Sequence, residues 1–128
     1  MKRPVHAPRC LLDANCPLRQ VFDLIGSRWT ATILFVIGDG VQRYGELQRH
    51  ILDVTKQMLT QTLRTLEGDG LLARTAHPVV PPKKEYRLTP LGLLFLEPIA
   101  TLAEWANSHQ EDIKPMFARR RARANSRT

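Results

Sequence analysis

The side chains from Thr55 to Arg64 are spaced to make hydrogen bonds from one face of a helix. At about 100° per residue, Gln57, Thr60, Gln61 and Arg64 fall together, with Lys56 at their edge. None of them is a carboxylate. They are long or hydroxylated donors, the types that bond phosphate oxygens and the edges of bases. Gln pairs with adenine and Arg with guanine, so Gln57, Gln61 and Arg64 are the candidates for base contacts. Arg43, Thr55, Lys56, Thr60, Lys83 and Lys84 are the candidates for phosphates. A solvated helix face has a similar composition, since Lys and Gln are common on surfaces. The surrounding chain decides between the two.

Cys16 is the other side chain with reactive potential. At the start of a helix, the positive end of the dipole favours its thiolate. Such a thiolate is what an oxidant or electrophile attacks first. The alternative is a half-buried structural cysteine. Cys10 precedes it with five residues between them. A disulfide framework is not expected in a cytoplasmic chain of this size. The spacing matches no standard zinc pattern, and His6, His50, His77 and His109 are scattered. No metal and no cofactor is implied.

The constellations of an enzyme are missing. There is no phosphate-binding glycine loop, no His-Glu-x-x-His and no Gly-x-Ser-x-Gly. Glu67 and Asp69 are close in sequence, but they flank a helix stop and read as solvated. No catalytic residue is assigned.

Size and charge set the frame for these residues. At 128 residues the chain is long enough for one core and not for two. Its 43% hydrophobic and 24% charged residues are those of an ordinary globular protein. No run approaches ~18 uninterrupted apolar residues, and the N-terminus lacks a signal-peptide core, so a cytoplasmic protein without a membrane partner is expected. The net charge is +7, but Lys2, Arg3, Arg9, Arg119, Arg120, Arg121, Arg123 and Arg127 sit in the two tails, which leaves −1 for residues 10–118. Overall charge is therefore weak support for a nucleic-acid partner, and local distribution is the better test. Between Arg43 and Arg87 there are eight Lys/Arg against five Asp/Glu, a modest excess. The tails could add sequence-independent attraction to any polyanion, or act as solubilising flanks.

The elements that position the candidates follow from periodicity and punctuation. Residues 1–15 read as an arm, 16–113 as the folded domain and 114–128 as a basic tail. Cys16-Pro17 opens a helix that Gly26 ends, because proline suits the first helical position. Ser27 is placed to cap the next helix, which carries Trp29, Ile33, Leu34, Val36 and Ile37 and is apolar nearly all round, as a buried central helix is. Gly38-Asp39-Gly40 stops it. A short helix within Tyr44–Ile51 turns Leu47 and Ile51 inward and leaves Gln48, Arg49 and His50 on its polar side.

After a brief link, Thr55 caps the donor-bearing helix. Its opposite face holds Leu59, Leu63 and Leu66, and Gly68 and Gly70 end it. Two helices joined in this way make a helix-turn-helix. Leu71–Ala76 and Glu85–Leu88 then read as strands around the proline-rich, basic tip His77–Lys84. The order helix, turn, helix, hairpin is that of a winged helix. A basic tip there can reach a phosphate backbone or minor groove, although an ordinary loop with two lysines would read the same. Thr89-Pro90 starts a last helix to about Phe117, with the stripe Leu91, Leu94, Phe95, Ile99, Leu102 and Trp105 and a kink expected at Pro98. So long a stripe exceeds what a small core can cover and points to a second subunit, the alternative being that it folds back on its own core.

Several motifs in this order resemble a known family. They are Cys16-Pro17, Gly26-Ser27-Arg28-Trp29-Thr30, Arg43-Tyr44-Gly45-Glu46-Leu47, the run Leu59–Leu71, and Pro81-Pro82 ahead of Glu85–Gly92, followed by Trp105. Together they are similar to the HxlR-type winged-helix transcription regulators, which are MarR-like. The resemblance covers roughly residues 10–108. It implies a mainly α fold with a small β-hairpin, a winged helix-turn-helix dimerising through terminal helices. It implies a homodimeric bacterial regulator whose Thr55 helix enters the major groove while the hairpin tip touches flanking backbone or minor groove. Several members respond to quinones, aldehydes or oxidants through a cysteine matching Cys16. Gly45 departs from the polar residue many members carry there, and the chain beyond Lys114 has no clear counterpart.

The resulting expectation is a dimeric, sequence-specific transcriptional regulator, a repressor, that binds a near-palindromic double-stranded operator. Its effector would be an electrophile or oxidant acting at Cys16. The alternative is a winged-helix protein-interaction module that does not bind DNA, because fold alone does not dictate function. The acid-free face of the Thr55 helix and the basic tip discriminate between them in favour of DNA.

Overall fold

Leucines at 59, 63 and 66 recur at helical spacing, and all three are fully buried in a computed structural model of the chain. The structure describes residues 13–79 and 83–126. Lys2, Arg3, Arg9 and Cys10 of the expected arm, Pro81 and Pro82 of the hairpin tip, and Arg127 lie outside them. The described elements are α1 (Pro17–Gly26), α2 (Thr30–Gly38), α3 (Tyr44–His50), α4 (Lys56–Gly68), β1 (Leu72–His77), β2 (Lys83–Leu88), α5 (Pro90–Ser108) and α6 (Gln110–Ser126). This is a mainly α fold with one antiparallel hairpin, a winged helix. No single helix among the described residues is long and apolar enough to cross a membrane.

The core lies where α2, α3, α4 and the hairpin meet. Ile33, Leu34 and Ile37 of α2, Leu47 of α3, and Leu71, Leu72 and Tyr86 are buried with the α4 leucines. Burial of each large side chain contributes about 1.5–3 kcal/mol, so this cluster dominates the stability of the helix pair. The α2 helix packs on α1, α3 and β2, while α4 packs on β1. It is not buried all round as expected, because Phe35 remains 39% exposed.

The ends of α4 form as its residues dictate. The Thr55 hydroxyl oxygen accepts a hydrogen bond from the Met58 N–H at 3.1 Å, which satisfies one of the free donors of the first turn. At the other end Gly68 is still helical, and the reversal is made by Gly70 at φ +79°, a left-handed conformation that costs glycine little. Ser27 does not cap α2. The position before α2 is Trp29, and the Ser27 hydroxyl instead donates to the Asp23 carbonyl at 3.0 Å. A hydroxyl one turn beyond a free carbonyl at a helix end has a partner at hand without reaching forward.

The hairpin pairs Leu72 with Leu88 through to His77 with Lys83. Lys83 and Lys84 therefore open β2 and do not belong to the tip. A third segment touches β2 through an isolated bridge between Arg43 and Glu85, and the Tyr86 N–H donates to the Gln42 carbonyl at 2.8 Å. Thr89 closes the base of the hairpin. Its N–H donates to the Leu71 carbonyl at 3.1 Å, its hydroxyl donates to the Gly70 carbonyl at 2.5 Å, and it accepts from the Gly92 N–H at 3.1 Å. A Cβ at Gly92 would run into the Leu71 carbonyl oxygen, so only glycine allows this approach.

The chain divides after Leu96 into two packing units. The expected single helix from Pro90 to about Phe117 is two helices. The α5 helix continues through Pro98, and the break falls at His109. Pro98 removes the backbone donor that would pair with the Leu94 carbonyl, and the helix continues through it without that bond. Glu111 and Asp112 occupy the first turn of α6, where acids complement the helix dipole and favour a fresh start. The segment expected as a basic tail is helical to Ser126 and carries Arg119, Arg120, Arg121 and Arg123. Ala and Arg are good helix formers, which accounts for it. The Arg120 guanidinium lies 5.6 Å from the centre of the Phe117 ring, a cation–π distance.

Candidate nucleic-acid interface

Gln57, Gln61 and Arg64 stand exposed in a row along α4, each one helical turn or less from the next. They share a shallow depression of about 560 Å³ with Lys56 and Thr60. A second depression, about 680 Å³, opens beside it between α3, the start of α4 and β2. Arg43, Lys56, Thr60, Lys83 and Lys84 line this one, and Lys56 and Thr60 are common to both. Apart from Thr55, the predicted base-reading residues and the predicted phosphate residues thus line one continuous surface. Thr55 lines neither depression, and its hydroxyl oxygen is engaged in capping α4. Cys16 also lies away from both.

Two of the candidates are held by neighbours. Arg43 Nε lies 3.4 Å from Glu85 Oε1, with the guanidinium side chain 52% exposed. Thr60 is half-buried, and its hydroxyl lies 2.7 Å from the Tyr44 hydroxyl. The cationic surface also contains carboxylates. Glu46 lines the larger depression, and Glu85 lies between Arg43 and His77, whose Nε2 is 3.4 Å from Glu85 Oε2. Contact with the His77 imidazole is the largest influence on Glu85 and, with Arg43, holds its carboxyl below the ordinary value against some desolvation.

Arg49 and Tyr44 were absent from the residues picked out by type and spacing, yet both line the larger depression. The signal for Arg49 was its spacing of four from Gly45, which puts the two on one face of α3. A Cβ at Gly45 would stand 3.8 Å from Arg49 Nη1. The bare glycine leaves the first turn of α3 clear beside that guanidinium.

Cys16 occupies the position before α1 and is 2% exposed. Its N–H donates to the Asp13 carbonyl at 3.0 Å, and its carbonyl accepts from Gln20 at 2.9 Å. Its sulfur is in a disulfide, contrary to the expectation of an unbridged thiol. The cytoplasmic argument against disulfides concerns structural frameworks and does not exclude a redox-active pair.

A helix-turn-helix with an acid-free outer face, flanked by a hairpin bearing lysines, defines a winged-helix DNA-binding protein. Residues 24–114 match the model of the HxlR-like helix-turn-helix family. The uncharacterized HTH-type transcriptional regulator YtfH of Escherichia coli (strain K12) is 46% identical over 95 residues, covering 74% of this chain and 75% of that protein. The solved structure of ytfH from Salmonella typhimurium superposes with a TM-score of 0.72 at 39% identity, over 84% of this chain and 96% of that one. The redox regulator HypR in its oxidised form superposes with a TM-score of 0.68 at 36% identity, over 73% of this chain and 96% of that one. The chain belongs to the HxlR-like helix-turn-helix family. It is a transcriptional regulator of the helix-turn-helix type, from a family of regulators and not of enzymes.

Proposed function

We propose that the chain acts as a homodimeric, cytoplasmic repressor that seats α4 of each copy in successive major grooves of a near-palindromic operator. The observation that carries this reading is the continuity of the two depressions through Lys56 and Thr60. Gln57, Gln61 and Arg64 face the base edges, while Lys56, Lys83 and Lys84 face the phosphates beside them. Arg43 joins the phosphate contacts from the segment before α3, and Thr60 stands between the two sets. Thr55 contributes by fixing the first turn of α4. Two-fold symmetric half-sites then lie about one helical turn apart. Support for a second copy comes from the terminal helices, where Leu102, Trp105, Met116 and Phe117 are all exposed.

The effector reading assigns Cys16 as a redox sensor. It is supported by the disulfide at the head of α1 and by the likeness to HypR, a protein described as a redox regulator. The bridged sulfur shows that this position can hold an oxidised product, and an electrophile or oxidant acting at Cys16 is the effector class proposed.

A gel-shift titration at two salt concentrations tests the DNA reading. Arg64→Ala should weaken operator binding by about 1–3 kcal/mol. Lys84→Ala should weaken all duplexes alike and reduce the salt slope by about one. Unchanged operator affinity in the Arg64 variant would remove α4 as the reading helix.

A further inference from the structure

We infer that Tyr44 is a positioning residue for sequence readout, which sets both the seat of α4 and the hydrogen-bonding polarity of Thr60. This rests on the proposal that α4 reads DNA, and deepens it. Tyr44 is the first residue of α3, and its hydroxyl reaches across to the first turn of α4. There it lies 3.2 Å from the Lys56 carbonyl oxygen and 2.7 Å from Thr60 Oγ1. A phenol has one proton. Both bonds are made together in one arrangement: Tyr44 donates to the Lys56 carbonyl, and Thr60 donates to the Tyr44 oxygen.

Two consequences follow. First, the turn of α4 that carries Lys56, Gln57, Thr60 and Gln61 is tied to α3 by a group that is neither backbone nor core. A reading helix held in place before it meets DNA loses less on binding than one that must be ordered. Second, Thr60 has its proton committed inside the protein. Toward DNA it offers only lone pairs. It therefore does not act as a donor to phosphate, the role its residue type first suggested. It accepts, and the groups that donate in the major groove are the amino groups of adenine and cytosine. Thr60 lies on both depressions, between the phosphate-facing lysines and the base-facing glutamines, where a base edge is within reach of α4.

The test uses the full chain and a duplex that the wild-type protein selects from a random-sequence pool, with a scrambled duplex of the same composition as reference. Tyr44→Phe keeps the ring and removes the hydroxyl. Affinity for the selected duplex should fall by about five- to tenfold, with affinity for the scrambled duplex and the salt slope unchanged. Thr60→Val should produce a similar loss, and the double variant little more than either single one, because both remove the same relay. Selection repeated with Thr60→Val should lose its preference for adenine or cytosine at one position per half-site. Equal discrimination by wild type and Tyr44→Phe, or simple additivity of the two losses, overturns the inference. No discrimination by wild type itself would instead overturn the DNA reading on which it rests. Circular dichroism melting of each variant separates these outcomes from unfolding, and Thr60→Ser, which keeps the hydroxyl, should restore discrimination.

Discussion

Arg43 and Glu85 meet twice, once through the backbone and once through their side chains. Their backbones form an isolated antiparallel bridge, and Arg43 Nε lies 3.4 Å from Glu85 Oε1. The double contact joins the segment that leads into α3 to the second strand of the wing. It also places a carboxylate beside Arg43, near a surface that holds Lys56, Lys83 and Lys84 and a second carboxylate, Glu46.

Glu85→Gln is expected to raise affinity for non-operator DNA. The substitution removes the counter-charge from Arg43 and the carboxylate oxygen that faces His77. Exposed pairs of this kind are weak and screened by solvent, so the gain should not exceed about fivefold. The dependence on salt should steepen by about one phosphate contact. Fluorescence anisotropy with a scrambled duplex at several salt concentrations measures both. A flat response would show that Arg43 is already available to DNA in the wild type.

The same carboxylate predicts an acid sensitivity of the hairpin. Its folded-state pKa is lowered from 4.5, first by contact with His77 and then by Arg43, with desolvation opposing. A lowered carboxyl stabilises the fold fully above the unfolded value. That contribution is lost as pH falls through the lower, folded value. Thermal melts of wild type and Glu85→Gln should therefore differ near neutrality and converge on the acid side of 4.5. Parallel curves across the whole range would separate Glu85 from any acid transition.

For Cys16, the prediction concerns the reduced protein. Diamide should abolish operator binding by reduced wild type and spare Cys16→Ser. Added thiol should reverse the loss, because a disulfide is the reversible product of two thiols. Equal sensitivity of both proteins would exclude Cys16 from the mechanism. Cys10, the chain's other cysteine, lies outside the described residues, and Cys10→Ser completes the comparison.

The parts of the fold that were legible in the sequence are those with local, repeated signals. Thr55 and the leucines at 59, 63 and 66 announce α4 because a cap and a periodic stripe are short-range features. The prolines before Lys83 and Lys84 suggest a stiff loop, which would put both lysines in the tip. Their place in β2 comes from pairing with His77 and Ala76, which proline content does not report. The bridge from Gln42–Arg43 to β2 left no trace, since two residues are too few to show alternation. The break at His109 was missed for another reason. Pro98 offered a stronger local signal than the acids that start α6. The relay from Tyr44 to Thr60 spans 16 positions, and side-chain contacts at that distance are set by packing rather than by pattern.

Three of the bonds made by Thr89 have a mechanical meaning. They stitch the exit of α4, at Gly70 and Leu71, to the entry of α5, at Gly92. The wing springs from the same knot, since β1 leaves it and β2 returns to it. The α4 helix, the wing and the first turn of α5 share one anchorage, and the glycine at 92 leaves that anchorage no slack. A small displacement of the start of α5 would therefore reach the helix and the wing together, as a load applied at a common fulcrum moves both arms of a lever.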